Sequence, residues 1–441
     1  MNRVGLSYHN FFYNNLEKYQ YIKNQDGFNM SMVKIPKTNK FLFCTRLLGV
    51  IPAYFGKEII PGFTDENKAY LEKKLPAEMF KKLAFGKNFF WGNWANNSTI
   101  DNVIFFVGSY KDGNLIIDEN IKPLAFTNLP IFFEGRKSGQ YVYTDIRLFS
   151  HENKMLCYDS YMTSIYEFKV HNNEILTSIK KVDNPLFKKY YFYFQHSFCD
   201  NIKEDDKNWA FVNTTEVEGI KYWRFLNWFE NGVLTESLIP VDPKIKDCLK
   251  LPIINMKKDK INGLNEEGLG SFSLGTPFLN VTEHIDNSNN KKNKKKIVYS
   301  GIAAGHLKIN RQTEFTEPGI LQIIKDIETE LPKYENYIPH NSYYYLTYLM
   351  NLIEYADGTF KLKFSNAFLM FPTENKYKFS INFPMGIELE NHKTKNVLIS
   401  MGIGDYYNYI MNISLNPFIK FCIHDLENFD KTQFRGKIIK V

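Results

Sequence analysis

Asp145 and Arg147 stand two positions apart in YTDIRLFSH. Both are charged residues that interrupt a strand-like run instead of sitting in a turn. On a strand, alternation puts both side chains on one face. Other polar residues also interrupt apolar, strand-like runs. Asn29 and Ser31 open GFNMSMVKIP, and Arg46 ends KFLFCTR. Lys207 and Asn208 precede the apolar run in DDKNWAFVN, His306 and Lys308 share a strand face in YSGIAAGHLKI, and Asp405 follows a Gly402-x-Gly404 turn. Each has an ordinary structural explanation. Asp-x-Arg makes cross-strand ion pairs, a strand histidine is a hydrogen-bonded core residue, Lys207 in KEDDK is a surface charge, and Asp405 caps a turn. The nine histidines show no ligand spacing, so no metal is expected. The five cysteines (Cys44, Cys157, Cys199, Cys248 and Cys422) form no CxxC pair, which predicts buried free thiols in a reducing compartment.

The elements that must position these residues are strands. Runs such as MSMVKIP, KFLFCTRLL, NVIFFVGSY, KMLCYDSYM, YEFKV, KYYFYFQH, KYWRFLNWF and NVLISMG alternate with Asn-, Asp- and Gly-rich turns. Aromatics make up 16% of the chain, and that excess favours strands and stacking surfaces over helical bundles. Two hairpins are legible, IFFVGSY-KDG-NLIID and YWRFLNWF-ENG-VLTE. Helical spacing is confined to residues 64–84, which start at Thr64 and are broken by Pro76, and to 318–331, between Pro318 and Pro332. Both read as insertions between strands. Roughly twenty short strands exceed one sandwich or closed barrel, whereas four-stranded blades of about 90 residues each suit a five-bladed β-propeller. The expectation is therefore an all-β single domain spanning residues 1–441, with short helical insertions and a flexible loop at about 286–296.

Charge and hydropathy exclude other classes. The net charge of +7 is modest, and much of it sits in the run DNSNNKKNKKK. No aromatic residues interleave with those lysines, so a solvated loop is expected rather than a nucleic-acid surface. No apolar stretch reaches the roughly 18 residues of a membrane span, and none follows Arg3 as a secretory signal would, which predicts a cytoplasmic location.

The order of these segments resembles the five-bladed β-propeller enzymes of glycoside hydrolase family 130, the β-mannoside phosphorylases with related mannosyltransferases and uncharacterised viral and protist relatives. The family's Asn-Pro-Ser looks like Asn29-Met30-Ser31, followed by Arg46 at a strand end. Its Glu-Asp-Pro-Arg looks like Thr144-Asp145-Ile146-Arg147, and its Asp-Lys-Asn like Asp206-Lys207-Asn208. Gly275-Thr276-Pro277, Gly305-His306-Leu307 and Gly402-Ile403-Gly404-Asp405 resemble three further segments, so the likeness spans about residues 27–415. Thr144, Ile146 and Met401 depart from the family wording, and the basic residue that follows the Lys-Asn strand is represented only by Arg224.

The resemblance implies Asp145 as general acid, acting directly or through a sugar hydroxyl. Arg147, Lys207, Asn208, His306 and Lys308 then bind phosphate, and Asn29, Ser31, Arg46 and Asp405 bind the sugar. Inverting cleavage by phosphate needs an acid on the leaving oxygen and a nest of cations for the dianion, but no second carboxylate. Inorganic phosphate or a sugar 1-phosphate is then the co-substrate, no other cofactor is expected, and the partner is an oligosaccharide or glycan. Innermost strands lining one funnel would let separate blades contribute these groups. Related phosphorylases assemble, so a homo-oligomer stays open. Two alternatives stand beside this reading: a hydrolase of the same fold, and a catalytically silent propeller that binds glycans or proteins.

Overall fold

A computed structural model describes residues 2–3, 28–47, 101–111, 114–128, 145–158, 165–178, 208–229, 233–242, 244–245, 248–255, 269–285, 296–310, 343–364, 367–370, 382–390, 396–403, 407–425, 427–428 and 437–440. They form five small sheets, the arrangement of a five-bladed β-propeller. Sheet I contains β2 (Phe28–Lys34), β3 (Phe41–Leu47), β4 (Asp101–Lys111) and β5 (Asn114–Ile117), with β6 (Leu124–Asn128) also on β4. Sheet II runs through β7 (Arg147–His151), β8 (Lys154–Tyr158), β9 (Ile165–His171) and β10 (Glu174–Thr177). Sheet III runs through β11 (Ala210–Val217), β12 (Ile220–Phe229), β13 (Val233–Pro240) and β14 (Leu249–Asn255).

Sheet IV orders β15 (Leu269–Leu274), β17 (Ile297–Asn310), β18 (Tyr343–Tyr355) and β19 (Phe360–Phe364). Four short strands extend it: β16 (Leu279–Asn280), β20 (Ala367–Met370), β24 (Glu427–Asn428) and β25 (Lys437–Lys440). Sheet V orders β21 (Asn382–Leu389), β22 (Asn396–Ile403), β23 (Tyr407–Ser414) and β1 (Asn2–Arg3). In every sheet the chain enters at an edge strand (β2, β7, β11, β15 or β21) and proceeds outward by antiparallel neighbours, the order that defines a propeller blade.

The chain divides into two compact units. The first comprises residues 3–196 with 406–408 and contains sheets I and II. Its core alternates along β4: Val103, Phe105 and Val107 join Val33, Leu42, Cys44, Ile146, Leu148, Met155, Cys157 and Phe168, with the Phe105 and Phe168 rings stacked 4.5 Å apart. Ile104 and Phe106 occupy the opposite face of β4 and are also buried, with Phe106 stacked on Phe43 at 5.1 Å. A strand buried on both faces reads as a continuous apolar run, and NVIFFVGSY does so. Burying each such side chain contributes about 1.5–3 kcal/mol.

The second unit comprises residues 1–2, 197–405 and 409–441 and holds sheets III and IV and most of V. Trp228 of β12 packs on Phe272 and Phe364 of sheet IV at 5.3 and 6.1 Å, and its indole Nε1 donates to the Tyr348 hydroxyl at 3.0 Å. Tyr348 donates in turn to the Ser273 carbonyl. The hydroxyl of buried Tyr299 donates to the Val212 carbonyl, and burial pushes both phenols above their ordinary range. Gly305 is required where β15, β17 and β18 meet, because a Cβ there would lie 2.5 Å from the Ser273 carbonyl oxygen and 2.5 Å from the Tyr348 ring.

Both legible hairpins are present, as β4–β5 and β12–β13. The expected helices at 64–84 and 318–331, the strand KYYFYFQH and residues 286–295 of the lysine loop lie outside the described residues. Among those described, the one α-helix is α1 (Leu415–Lys420), followed by a π turn at Phe421–Asp425. Six residues are too few for a periodic pattern to announce a helix. Cys44, Cys157 and Cys422 are buried free thiols, but Cys248 is disulfide-bonded, which corrects the expectation of five free thiols. Disulfide pairing depends on how closely two Cα atoms approach in space, which spacing along the chain does not reveal. Among the described residues no helix is long and apolar enough to cross a membrane.

Candidate active site

Among the described residues, nine that are not glycine have left-handed backbone. Six of them, Lys37, Glu152, Asn153, Asn172, Asn173 and Glu218, lie in turns between successive strands, where such torsions are expected. The other three are Asn29, Asp145 and Asn208, with φ of 53°, 57° and 63°. Each sits where the chain enters the edge strand of a sheet: in β2, before β7 and before β11. Each is followed by a buried apolar residue, namely Met30, Ile146 or Trp209. Asn and Asp tolerate this conformation best among residues with a Cβ. All three are also residues that the sequence had singled out, and left-handed residues outside turns concentrate at functional sites.

Two of them meet in the first unit. The Asn29 side-chain Nδ2 donates to Asp145 Oδ1 at 2.7 Å, across 116 positions of sequence. Arg46, at the end of β3, places Nη1 3.6 Å from the same oxygen. The hydrogen bond and the ion pair therefore both end on Oδ1. Asn29 and Arg46 are buried, while 19% of the Asp145 side chain is exposed. Ser31 Oγ accepts from the Leu148 backbone N–H at 2.8 Å, which ties β2 to β7.

Arg147 opens β7, two residues after Asp145. Asp145 precedes the strand in a left-handed bend, so the expectation that both side chains share a strand face gives way to a partly exposed acid and a fully buried guanidinium. Arg147 is 0% exposed and pairs across the ladder with Tyr158. Burial pulls its guanidinium below the ordinary value, against the opposing effects of Tyr158 and Asp145.

The structure thus brings together Asn29, Ser31, Arg46, Asp145 and Arg147. Asn208, His306 and Lys308 belong to the second unit. Asn208 is buried at the entry to β11, and His306 is buried in β17 with its ring 4.6 Å from that of Phe383. Lys308 follows two residues later on the same strand. Lys207 and Asp405 lie outside the described residues. Arg224 is committed elsewhere: its Nε donates to Glu236 and its Nη1 to Glu354. The Gly-Thr-Pro segment is structural at its first two positions, since the Gly275 and Thr276 N–H groups both donate to the Ala304 carbonyl and Thr276 Oγ1 accepts from the Ala304 N–H.

Sequence reasoning missed Asn408 and Thr45. Fully buried Asn408 accepts from the Met30 N–H through Oδ1 and donates from Nδ2 to Thr45 Oγ1, both at 2.9 Å. The signal was available, because an asparagine inside the apolar run YNYIMNI has to be satisfied by something other than water. Among the described residues no cluster of three His, Cys, Asp or Glu could hold a metal ion.

No protein-family model matches the sequence, and no curated protein matches it. Among solved structures the chain is similar to a β-1,2-mannobiose phosphorylase from Listeria innocua, at 10% identity and a TM-score of 0.40, covering 92% of this chain and 96% of the other. It is also similar to a GDP-Man-dependent mannosyltransferase from Leishmania mexicana, at 10% identity and a TM-score of 0.30, covering 92% and 88%.

Proposed function

We propose that the chain is a carbohydrate-active enzyme, an inverting glycoside phosphorylase or glycosyltransferase that acts on β-mannoside-type oligosaccharides with a sugar 1-phosphate as product or donor. The observation that carries this reading is the convergence of Asn29, Arg46 and Asp145. A partly exposed acid is anchored through one oxygen by an amide and a guanidinium from two other strands. An exposed surface carboxylate would need neither a left-handed backbone nor two buried anchors.

In phosphorolysis, Asp145 gives its proton to the glycosidic oxygen as the bond from C1 to that oxygen breaks. A phosphate oxygen attacks C1 from the opposite face, forming the sugar 1-phosphate and releasing the acceptor as an alcohol. In synthesis the same steps run backwards. Within the first unit, Asn29, Ser31 and Arg46 are assigned to sugar hydroxyls and Arg147 to the phosphate; Lys207, Asn208, His306 and Lys308 as phosphate ligands and Asp405 as a sugar ligand rest on the family resemblance alone. The complete burial of Arg147 and His306 favours a second reading, a glycan-binding propeller without turnover.

Incubation of the purified protein with mannose 1-phosphate and a panel of acceptors, measuring released phosphate, separates these readings. Phosphate release that is lost in Asp145→Asn supports the enzyme. Free sugar released from glycosides without a phosphate requirement indicates a hydrolase. Glycan binding with neither product indicates the silent propeller.

A further inference from the structure

We propose that Asn408 is a positioning residue that sets both anchors of the Asp145 carboxyl, an inference that rests on the reading of Asp145 as proton donor. The left-handed turn at Asn29 shifts the β2–β3 register between Phe28 and Ser31, so the Met30 N–H falls outside the regular ladder. Asn408 Oδ1 accepts that N–H at 2.9 Å, one residue along from Asn29. The other end of the same amide donates to Thr45 Oγ1 at 2.9 Å, one residue before Arg46. Met30, Thr45 and Asn408 are all 0% exposed.

A single rigid amide from β23 thus spans the backbone neighbours of the two residues that converge on Asp145 Oδ1. The planar side chain fixes the separation of its donor and its acceptor. It therefore fixes β2 against β3 at the point where Asn29 and Arg46 must agree on one oxygen. Small misplacements of a catalytic group lower turnover far more than they lower binding.

Three variants test the proposal: Thr45→Val, which keeps the shape and removes the hydroxyl to which Asn408 donates; Thr45→Ser, which restores a hydroxyl; and Asn408→Ala. Crystal structures of the variants should show the Asn29–Asp145 hydrogen bond of 2.7 Å lengthened past about 3.5 Å in Thr45→Val and Asn408→Ala, and restored in Thr45→Ser. In the mannose 1-phosphate assay, kcat should fall about tenfold in Thr45→Val with KM within about twofold, and Thr45→Ser should recover it. An unchanged hydrogen bond, or a KM change equal to the kcat change, overturns the proposal. Should Asn408→Ala fail to fold, Thr45→Val decides alone. Should the wild type transfer no sugar, the functional reading fails and the crystallographic comparison still decides whether Asn408 positions the anchors.

Discussion

Replacing Arg224 with methionine separates a structural cation from a phosphate ligand. Arg224 bridges Glu236 of β13 and Glu354 of β18, and the three side chains are 12%, 16% and 21% exposed. Removing the guanidinium while keeping its stem leaves two carboxylates facing each other in a partly dry site. Deleting one partner of a buried ion pair costs about 3–5 kcal/mol. The residual exposure lets water reach both acids, so the lower end applies, about 3 kcal/mol. For a unit of this size, that corresponds to a fall in Tm of about 6–12 °C. The triple variant Arg224→Met with Glu236→Leu and Glu354→Leu should recover most of the loss, because no uncompensated charge is left. Urea unfolding followed through tryptophan fluorescence reads the stability, and phosphate KM is measured on the same samples. A stability loss below about 1 kcal/mol together with a tenfold rise in phosphate KM would refute the structural assignment and return Arg224 to the anion site.

Asn29→Gly keeps the left-handed backbone available while removing the Asp145 anchor, so turnover should fall about 10–100-fold, the value of a hydrogen bond to a charged group, with stability little changed. Gly305→Ala should destabilise the second unit by about 1–3 kcal/mol in urea titration, since the added methyl meets the Ser273 carbonyl and the Tyr348 ring. The hydrogen bond from Lys40, 2.5 Å long, holds the Asp118 carboxyl below the usual carboxylate range. A folded-state value below the unfolded one means that the contribution is present above about pH 4 and is lost as pH falls through the folded-state value. Lys40→Ala should therefore lower stability by about 0.2–1 kcal/mol at pH 7, with the difference shrinking as pH falls through the folded-state value.

Most of the strand order was legible because turn residues and aromatic runs obey short-range rules. Asn153, Asn172 and Asn173 supply positive φ where tight hairpins require it, and Val103, Phe105 and Val107 alternate along β4 as a buried strand must. The Asp145 cluster was legible only as separate residues joined by a family resemblance. That Asn29 would meet Asp145 across 116 positions depends on β2 lying against β7, a tertiary fact that no local pattern encodes. The same limit applies to Arg224, whose Glu354 partner lies 130 positions away, and to the disulfide at Cys248. The left-handed torsion at Asp145 could not be read either. A single Asp in YTDIRLF fits an extended strand equally well, and its partners Asn29 and Arg46 lie far away in sequence.

The most direct test of Asp145 as proton donor compares two substrates on the Asp145→Asn variant, a natural-type β-mannoside and a dinitrophenyl β-mannoside whose leaving group needs no proton. Asn is isosteric and tolerates the observed φ of 57°, so folding is preserved. Phosphorolysis of the natural-type glycoside should fall about 10²–10⁴-fold, while the dinitrophenyl glycoside keeps most of its rate. Equal losses on both substrates, or no loss on either, would contradict the assignment.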